Sequence, residues 1–193
     1  MGPHARKPGR LTVSIPNLIT LGRILLVPVV VWAIIYGELW LAFVLFLAAG
    51  VSDAVDGYLA KRFNMASELG AYLDPLADKT LIVSIYVTLG IAGNIPLWLV
   101  ILVVSRDIMI VGAIMLSWQL GSPLKVKPLL VSKLNTVAQI VFACVVLASL
   151  GFDLRADDLI FALILVVTAL TLLSVAAYVR EFIRHMNNAE MGR

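Results

Sequence analysis

The chain has 193 residues, a formal net charge of +3, 61% hydrophobic residues and only 14% charged ones, with a mean hydropathy of +1.00. Soluble domains carry about a quarter charged residues, so this composition excludes an ordinary water-soluble fold and points to a membrane protein. The single cysteine, Cys144, excludes an internal disulfide.

Residues 1–15 are polar and basic, with Arg6, Lys7 and Arg10. They read as a basic juxtamembrane segment, either a short helix on the membrane surface or a plain tail. The first apolar run is too long for the core of a cleaved signal peptide, and Gly2 lacks the Ser or Thr of a myristoylation motif. Six apolar spans follow, at roughly 18–37, 40–60, 71–92, 96–118, 135–152 and 158–180. Each has about the ~20 residues that a helix needs to cross the hydrocarbon layer. Turn residues separate them: Gly37, Gly93-Asn94-Ile95-Pro96, Gly121-Ser122-Pro123 and Gly151. Pro28 predicts a kink in the first span. With no soluble domain and no repeat, residues 1–193 read as one membrane domain.

The cations predict the orientation. Arg6, Lys7 and Arg10 precede span one, Lys61 and Arg62 lie between two and three, Lys125, Lys127 and Lys133 between four and five, and Arg180, Arg184 and Arg193 follow span six. Six spans put all of these on one side, and the opposite loops hold only Arg155 beside Asp153, Asp157 and Asp158. The positive-inside rule makes that side cytoplasmic. The expected fold is therefore all-α, a polytopic membrane protein of six transmembrane helices with both termini cytoplasmic.

Span two ends with Asp53 and Asp56, three apart, and span three begins with Asp74 and Asp78, four apart. Each pair shares one helix face. The short link between the spans predicts antiparallel neighbours, with both pairs near the cytoplasmic ends. Four carboxylates gathered there repel one another and resist burial. Lys61 and Lys79 are too few to neutralise them, whereas divalent ions can. All-oxygen ligands select hard ions such as Mg²⁺ or Mn²⁺, and two such ions form a clamp suited to phosphoryl chemistry. Gly57, Ala60 and Gly70 follow the same stripe; they let helices pack closely, and they leave room for a planar base or a pyrophosphate.

A second basic set stands apart: Arg23, Arg106, Lys125, Lys127 and Lys133. Arg106 is mid-span in Ser105-Arg106-Asp107, where an unpaired Arg is expensive. Asp107, adjacent in sequence, faces another direction and is an imperfect partner. Two readings stay open for Arg106: a structural ion pair with an acid on another helix, or a site for an anionic phosphate, together with Lys133. Buried acids also suit a cation transporter, but these cluster at one face and no inverted repeat accompanies them.

The run Asp53-x2-Asp56-Gly57-x2-Ala60-Lys61-x8-Gly70-x3-Asp74-x3-Asp78 resembles the signature of the CDP-alcohol phosphotransferase (phosphatidyltransferase) family. Lys61 departs from it, since the family usually has Arg there; a Lys keeps the charge and loses the bidentate fork. The resemblance covers nearly the whole chain. It implies that Asp53, Asp56, Asp74 and Asp78 hold the metals, two Mg²⁺ or Mn²⁺ ions. It further implies that Asp78 takes the proton from the acceptor hydroxyl. Gly57, Lys61 and Ser67, with neighbouring Ala60 and Gly70, match the CDP-binding positions. Asn17 and Thr20, in Pro16-Asn17-x2-Thr20, look like another donor-binding segment, although Asn17 also suits a helix cap.

The stretches Ser14-Ile15-Pro16-Asn17, Asp74-Pro75-Leu76-Ala77-Asp78-Lys79, Ser105-Arg106-Asp107, Lys127-Pro128 and Ser132-Lys133-Leu134-Asn135-Thr136 are similar to the glycerophospholipid branch of the family. That similarity implies transfer of the phosphatidyl group of CDP-diacylglycerol to phosphatidylglycerol, giving cardiolipin and CMP. Glycerol 3-phosphate is the alternative acceptor. Arg106, Lys133, Lys127 and Lys125 are the expected cations for the acceptor phosphate. A homodimer among membrane lipids, in the inner membrane of a bacterium with its site facing the cytoplasm, completes the expectation, and nucleic acid is not an expected partner.

Overall fold

The computed structural model describes the backbone of residues 15–63, 68–119 and 130–191, and the side chains of 21–53, 55, 79–110, 112 and 130–181. The described residues form six helices and no strand: α1 (Ile15–Ile35), α2 (Leu39–Phe63), α3 (Glu68–Ile91), α4 (Leu97–Gln119), α5 (Leu130–Gly151) and α6 (Asp157–Met191). The all-α architecture is as expected. Two boundaries differ from the apolar spans by more than a turn. α5 begins at Leu130, because the polar residues Ser132 and Lys133 propagate the helix without being apolar. α6 continues to Met191, beyond its apolar part, through a polar segment that includes Arg180, Glu181 and Arg184. At 1.5 Å per residue α6 is about 50 Å long, well over the ~30 Å of a hydrocarbon core. α1 runs through Pro28 as one helix.

Three helices end in the same way. Gly37 and Gly93 take positive φ, 80° and 76°, and Asp153 takes φ 53°. Each is followed by an amide that reaches back five residues: Glu38 N–H to Ala33 O at 2.8 Å, Asn94 N–H to Leu89 O at 2.9 Å, and Leu154 N–H to Ser149 O at 2.9 Å. These left-handed caps satisfy carbonyls that the helix leaves open. Glycine does this without steric cost, and Asp is one of the few side chains that tolerate it. At Gly151 the need is different. A Cβ there would lie 2.6 Å from the backbone nitrogen of Trp40, so only glycine lets the end of α5 meet the start of α2.

The helices close into a ring. α1 packs on α2, α2 on α5, α5 on α6, α6 on α4, α4 on α3, and α3 on α1, with a cross-contact between α3 and α5. The cross-contact divides the ring into two compartments. One is bounded by α1, α2, α5 and α3, the other by α3, α5, α6 and α4. The packing corrects one expectation. Among the described residues α2 and α3 do not meet; α1 and α5 both lie between them. A short link fixes only where two helices are joined. Phe63 and Glu68, five residue steps apart, can be separated by at most about 18 Å, which leaves room for the helices to diverge.

The outer surface is apolar, unlike that of a soluble protein, and several polar side chains are buried. Outward-facing side chains are apolar, including Leu21, Leu25, Val29, Leu165 and Leu172, whereas Arg106, Asn135, Gln139, Thr171 and Ser174 are buried. The apolar interior includes Val30, Ala33, Ala42, Phe46, Ile85, Leu99, Phe142 and Val167. The small Ala33, Ala42 and Ala49 let backbones approach closely. Exposed aromatic residues gather at the end holding the capped turns: Trp32, Tyr36, Trp40, Trp98 and Phe152. Such side chains suit a membrane–water boundary. By length and composition two described stretches are apolar enough to cross a membrane, Leu130–Gly151 and Asp157–Glu181, and Leu21–Ile35, Leu39–Asp53 and Lys79–Ile91 are shorter apolar helices.

Candidate active site

The four acids fall on two helices at the end of the ring opposite the aromatic collar. Asp53 and Asp56 lie in the last turns of α2, and Asp74 and Asp78 in the first turns of α3. Asp53 stands fourteen residues beyond the start of α2, about 21 Å along the axis. Gly57, Ala60 and Lys61 continue α2, Gly70 opens α3, and Asn17 and Thr20 belong to the first turns of α1. For all of these except Asp53 the backbone is described and the side chain is not. Ser67, Lys125 and Lys127 lie outside the described residues.

Asp53 shows what a carboxylate at this end meets. The guanidinium of Arg23, 2% exposed, places Nη1 at 2.5 Å from Asp53 Oδ1, and the Asp53 side chain is 41% exposed. Arg23 therefore belongs with the acids rather than with the acceptor cations. The signal for it was present, since Asn17, Thr20 and Arg23 share a face of α1 by their three-residue spacing. Lys79, a neighbour of the acids in sequence, pairs with a different carboxylate. Its Nζ donates to both oxygens of Asp107, at 2.9 and 2.8 Å.

Asp107 overturns a second expectation. It is a direct partner of Arg106, whose Nη1 donates to Asp107 Oδ1 at 2.6 Å. Arg106 Nε and Nη2 donate to Ser174 Oγ at 3.1 and 2.9 Å, and Nη2 also donates to Ser132 Oγ. Four of the five guanidinium N–H groups are thus engaged within the protein. The length of the Arg side chain lets it turn back to its sequence neighbour, which residue spacing on a helix does not reveal. This network joins α3, α4, α5 and α6. A second polar pair lies deeper on α5 and α6, where the Thr171 hydroxyl donates to Asn135 Oδ1 at 3.0 Å. Lys133 is exposed on α5.

Each compartment holds a cavity. The first, about 370 Å³, is lined by Arg23 and Asp53 at its polar end and by Phe46, Ala49, Ile82 and Ile140 elsewhere. The second, about 470 Å³, is lined by Arg106, Asp107, Ser132 and Ile108 among others. Lys79 of α3 and Thr136 of α5 line both.

A family model for the CDP-alcohol phosphatidyltransferases matches residues 13–180. The chain belongs to this family. Among its phosphatidyltransferase relatives, a human cardiolipin synthase (CMP-forming) is 34% identical over 174 residues, 82% of this chain and 58% of that protein. A rice CDP-diacylglycerol–glycerol-3-phosphate 3-phosphatidyltransferase is 34% identical over 183 residues, 86% of this chain and 56% of that protein. A probable phosphatidylglycerophosphate synthase of Mycobacterium tuberculosis is 38% identical over 101 residues, 49% of this chain and 48% of that protein. The chain spans little more than half the length of the human and rat relatives, 58% and 57%.

Members of the CDP-alcohol phosphatidyltransferase family use divalent metal ions. The residues here fit such ions. The four acids expected from the sequence are carboxylates, the hard oxygen donors that Mg²⁺ and Mn²⁺ prefer, and the described member, Asp53, is partly exposed and pairs with the Arg23 guanidinium through one oxygen.

Proposed function

We propose that the chain transfers the phosphatidyl group of CDP-diacylglycerol to the glycerol hydroxyl of phosphatidylglycerol, forming cardiolipin and releasing CMP. The observation that carries this reading is the four-acid pattern on the linked ends of α2 and α3, inside a family match that covers residues 13–180. The human relative, similar over 82% of this chain, bears the name of that activity. Phosphatidylglycerophosphate synthesis, with glycerol 3-phosphate as acceptor, is the second reading. It is favoured by the rice relative, which matches 86% of the chain at the same identity.

Asp53, Asp56, Asp74 and Asp78 would hold one or two Mg²⁺ or Mn²⁺ ions. When bound, such ions neutralise the pyrophosphate of the donor and the charge that develops on the departing CMP. Asn17, Thr20, Gly57, Ala60, Lys61, Ser67 and Gly70 hold the CDP group. A carboxylate oxygen of Asp78 accepts the proton of the acceptor hydroxyl as its oxygen bonds to the β-phosphorus of the donor. The phosphoanhydride P–O bond breaks, and CMP leaves with the electron pair. The acceptor head occupies the compartment beside Arg106, with Lys125, Lys127 and Lys133 adding positive charge along its approach.

The deciding experiment supplies purified protein with CDP-diacylglycerol, Mg²⁺ or Mn²⁺, and each acceptor in turn. Phosphatidylglycerol-dependent CMP release with cardiolipin as product is the expected result. Turnover with glycerol 3-phosphate alone establishes the second reading, and no CMP release with either acceptor overturns both.

All six helices cross the membrane in this reading, with both termini and the acids on the cytoplasmic side. The apolar outer faces, the aromatic collar at the opposite end and the charge asymmetry support it. In a Cys144→Ser background, a cysteine at Asp157 is expected to react with an impermeant thiol reagent outside intact cells, and one at Lys127 is not. The reverse pattern inverts the topology. A homodimer is the assembly proposed from the family resemblance, and a one-chain mass by light scattering in detergent would remove it.

A further inference from the structure

The ring has one feature that the four acids do not explain. Its two cavities share a wall, and the polar side chains common to both are Lys79 and Thr136. One cavity contains Asp53 and Arg23, beside the acid cluster. The other contains Arg106, Asp107 and Ser132. A phosphate entering the second cavity meets two cations there. Arg106 is 2% exposed and has spent four N–H groups on Asp107, Ser132 and Ser174. Lys79 is 37% exposed. Its ammonium has three N–H groups, and the same carboxylate takes both of its hydrogen bonds. Each therefore keeps one N–H group, but that of Lys79 sits on the more exposed ammonium, which lines both cavities, whereas Arg106 is buried and contributes mainly charge.

We propose that Lys79 is the cation that contacts the phosphate of the acceptor, at the wall between the two compartments, and that Asp107 is the residue that positions it. This rests on the functional reading above and deepens it. Two neighbouring cations repel, and a flexible lysine left to itself points to the nearest water. Asp107, 8% exposed, prevents this by accepting from Lys79 with both oxygens and from Arg106 with Oδ1. The three side chains carry a net charge of +1, so the cavity stays attractive to an anion. Lys79 also follows Asp78 directly on α3, so the phosphate contact is fixed by the helix that carries the proposed base. The shared chemistry of the ligand is a phosphate on one terminal carbon of a glycerol whose other terminal carbon carries the reacting hydroxyl. It is a diester in phosphatidylglycerol and a monoester in glycerol 3-phosphate.

The test measures KM for donor and acceptor separately, on full-length protein with whichever acceptor the wild type consumes. The variants are Lys79→Gln, Asp107→Asn, Asp107→Glu and the double Lys79→Gln/Asp107→Asn. Lys79→Gln, Asp107→Asn and the double variant are each expected to raise acceptor KM by a similar factor, roughly ten- to hundred-fold for one charge-assisted contact. Donor KM stays close to wild type, and Asp107→Glu recovers part of the loss. Lys79→Gln removes the more exposed partner and leaves Asp107 bonded to Arg106, so it keeps the test valid if Asp107→Asn does not fold. A purely structural ion pair predicts another pattern: the charge-neutral double variant regains wild-type acceptor KM. That result, or an unchanged acceptor KM in Lys79→Gln, overturns the assignment alone. A wild type that releases no CMP with either acceptor overturns the functional reading and the assignment with it.

Discussion

Asp56→Asn is expected to abolish CMP release while leaving the protein folded. The substitution keeps the shape of the side chain and removes its charge, one turn beyond Asp53, which pairs with Arg23. Stabilisation of charge at a reacting phosphate is usually the largest single contribution to catalysis, and losing one element of it costs on the order of 10²–10³ in turnover. A carboxamide is also a poor ligand for hard divalent ions. Asp78→Asn should fail at least as completely, because the proposed proton acceptor goes with the ligand. Both variants should have a thermal midpoint at or above that of the wild type in the absence of added metal, since fewer repelling carboxylates relieve the apo protein. Near-normal turnover of Asp56→Asn at saturating Mg²⁺ or Mn²⁺ would remove the metal cluster from the mechanism.

What the sequence disclosed followed from one-dimensional rules, and what it concealed needed three. Helix number was legible because apolar runs of membrane-spanning length are separated by glycines, and Gly37 and Gly93 indeed adopt the positive φ of helix caps. The acid pattern was legible because residues three and four apart share a helix face whatever surrounds them. Neither rule tells how a helix is rotated against its neighbours or which helix lies beside it. Hence α1 and α5 were not expected between α2 and α3. Arg23 was set among the cations outside the signature although it pairs with Asp53, and Lys79, beside Asp78 in sequence, pairs with Asp107. Long cationic side chains sweep a radius comparable to the spacing between helices, so their partners follow from packing and not from register. The buried polar residues on α5 and α6 were hidden for a related reason. Thr171 and Ser174 look unremarkable in an apolar run, and Ser132 and Asn135 stood out only by resemblance; their roles appear when Arg106 and one another supply their partners.

Arg106→Ala is expected to cost the protein its fold before it costs the acceptor its site. Arg106 is 2% exposed and ties α4 to α6 through Ser174 and to α5 through Ser132. α4 and α5 do not pack against each other directly among the described residues, so this guanidinium is a principal link between them. Truncation leaves two hydroxyls without their donor and gives Asp107 only Lys79. Breaking a buried, hydrogen-bonded ion pair by removing one member costs about 3–5 kcal/mol, a large share of the stability of a typical domain. Arg106→Lys should lie between, because an ammonium keeps the charge and cannot fork to Ser174 and Asp107 together. Thermal midpoint and monodispersity in detergent check this, beside acceptor KM. A well-folded Arg106→Ala protein with an unchanged midpoint and a raised acceptor KM would reverse the assignment. Arg106, not Lys79, would then be the phosphate contact, and the serines that surround it would serve only to aim it.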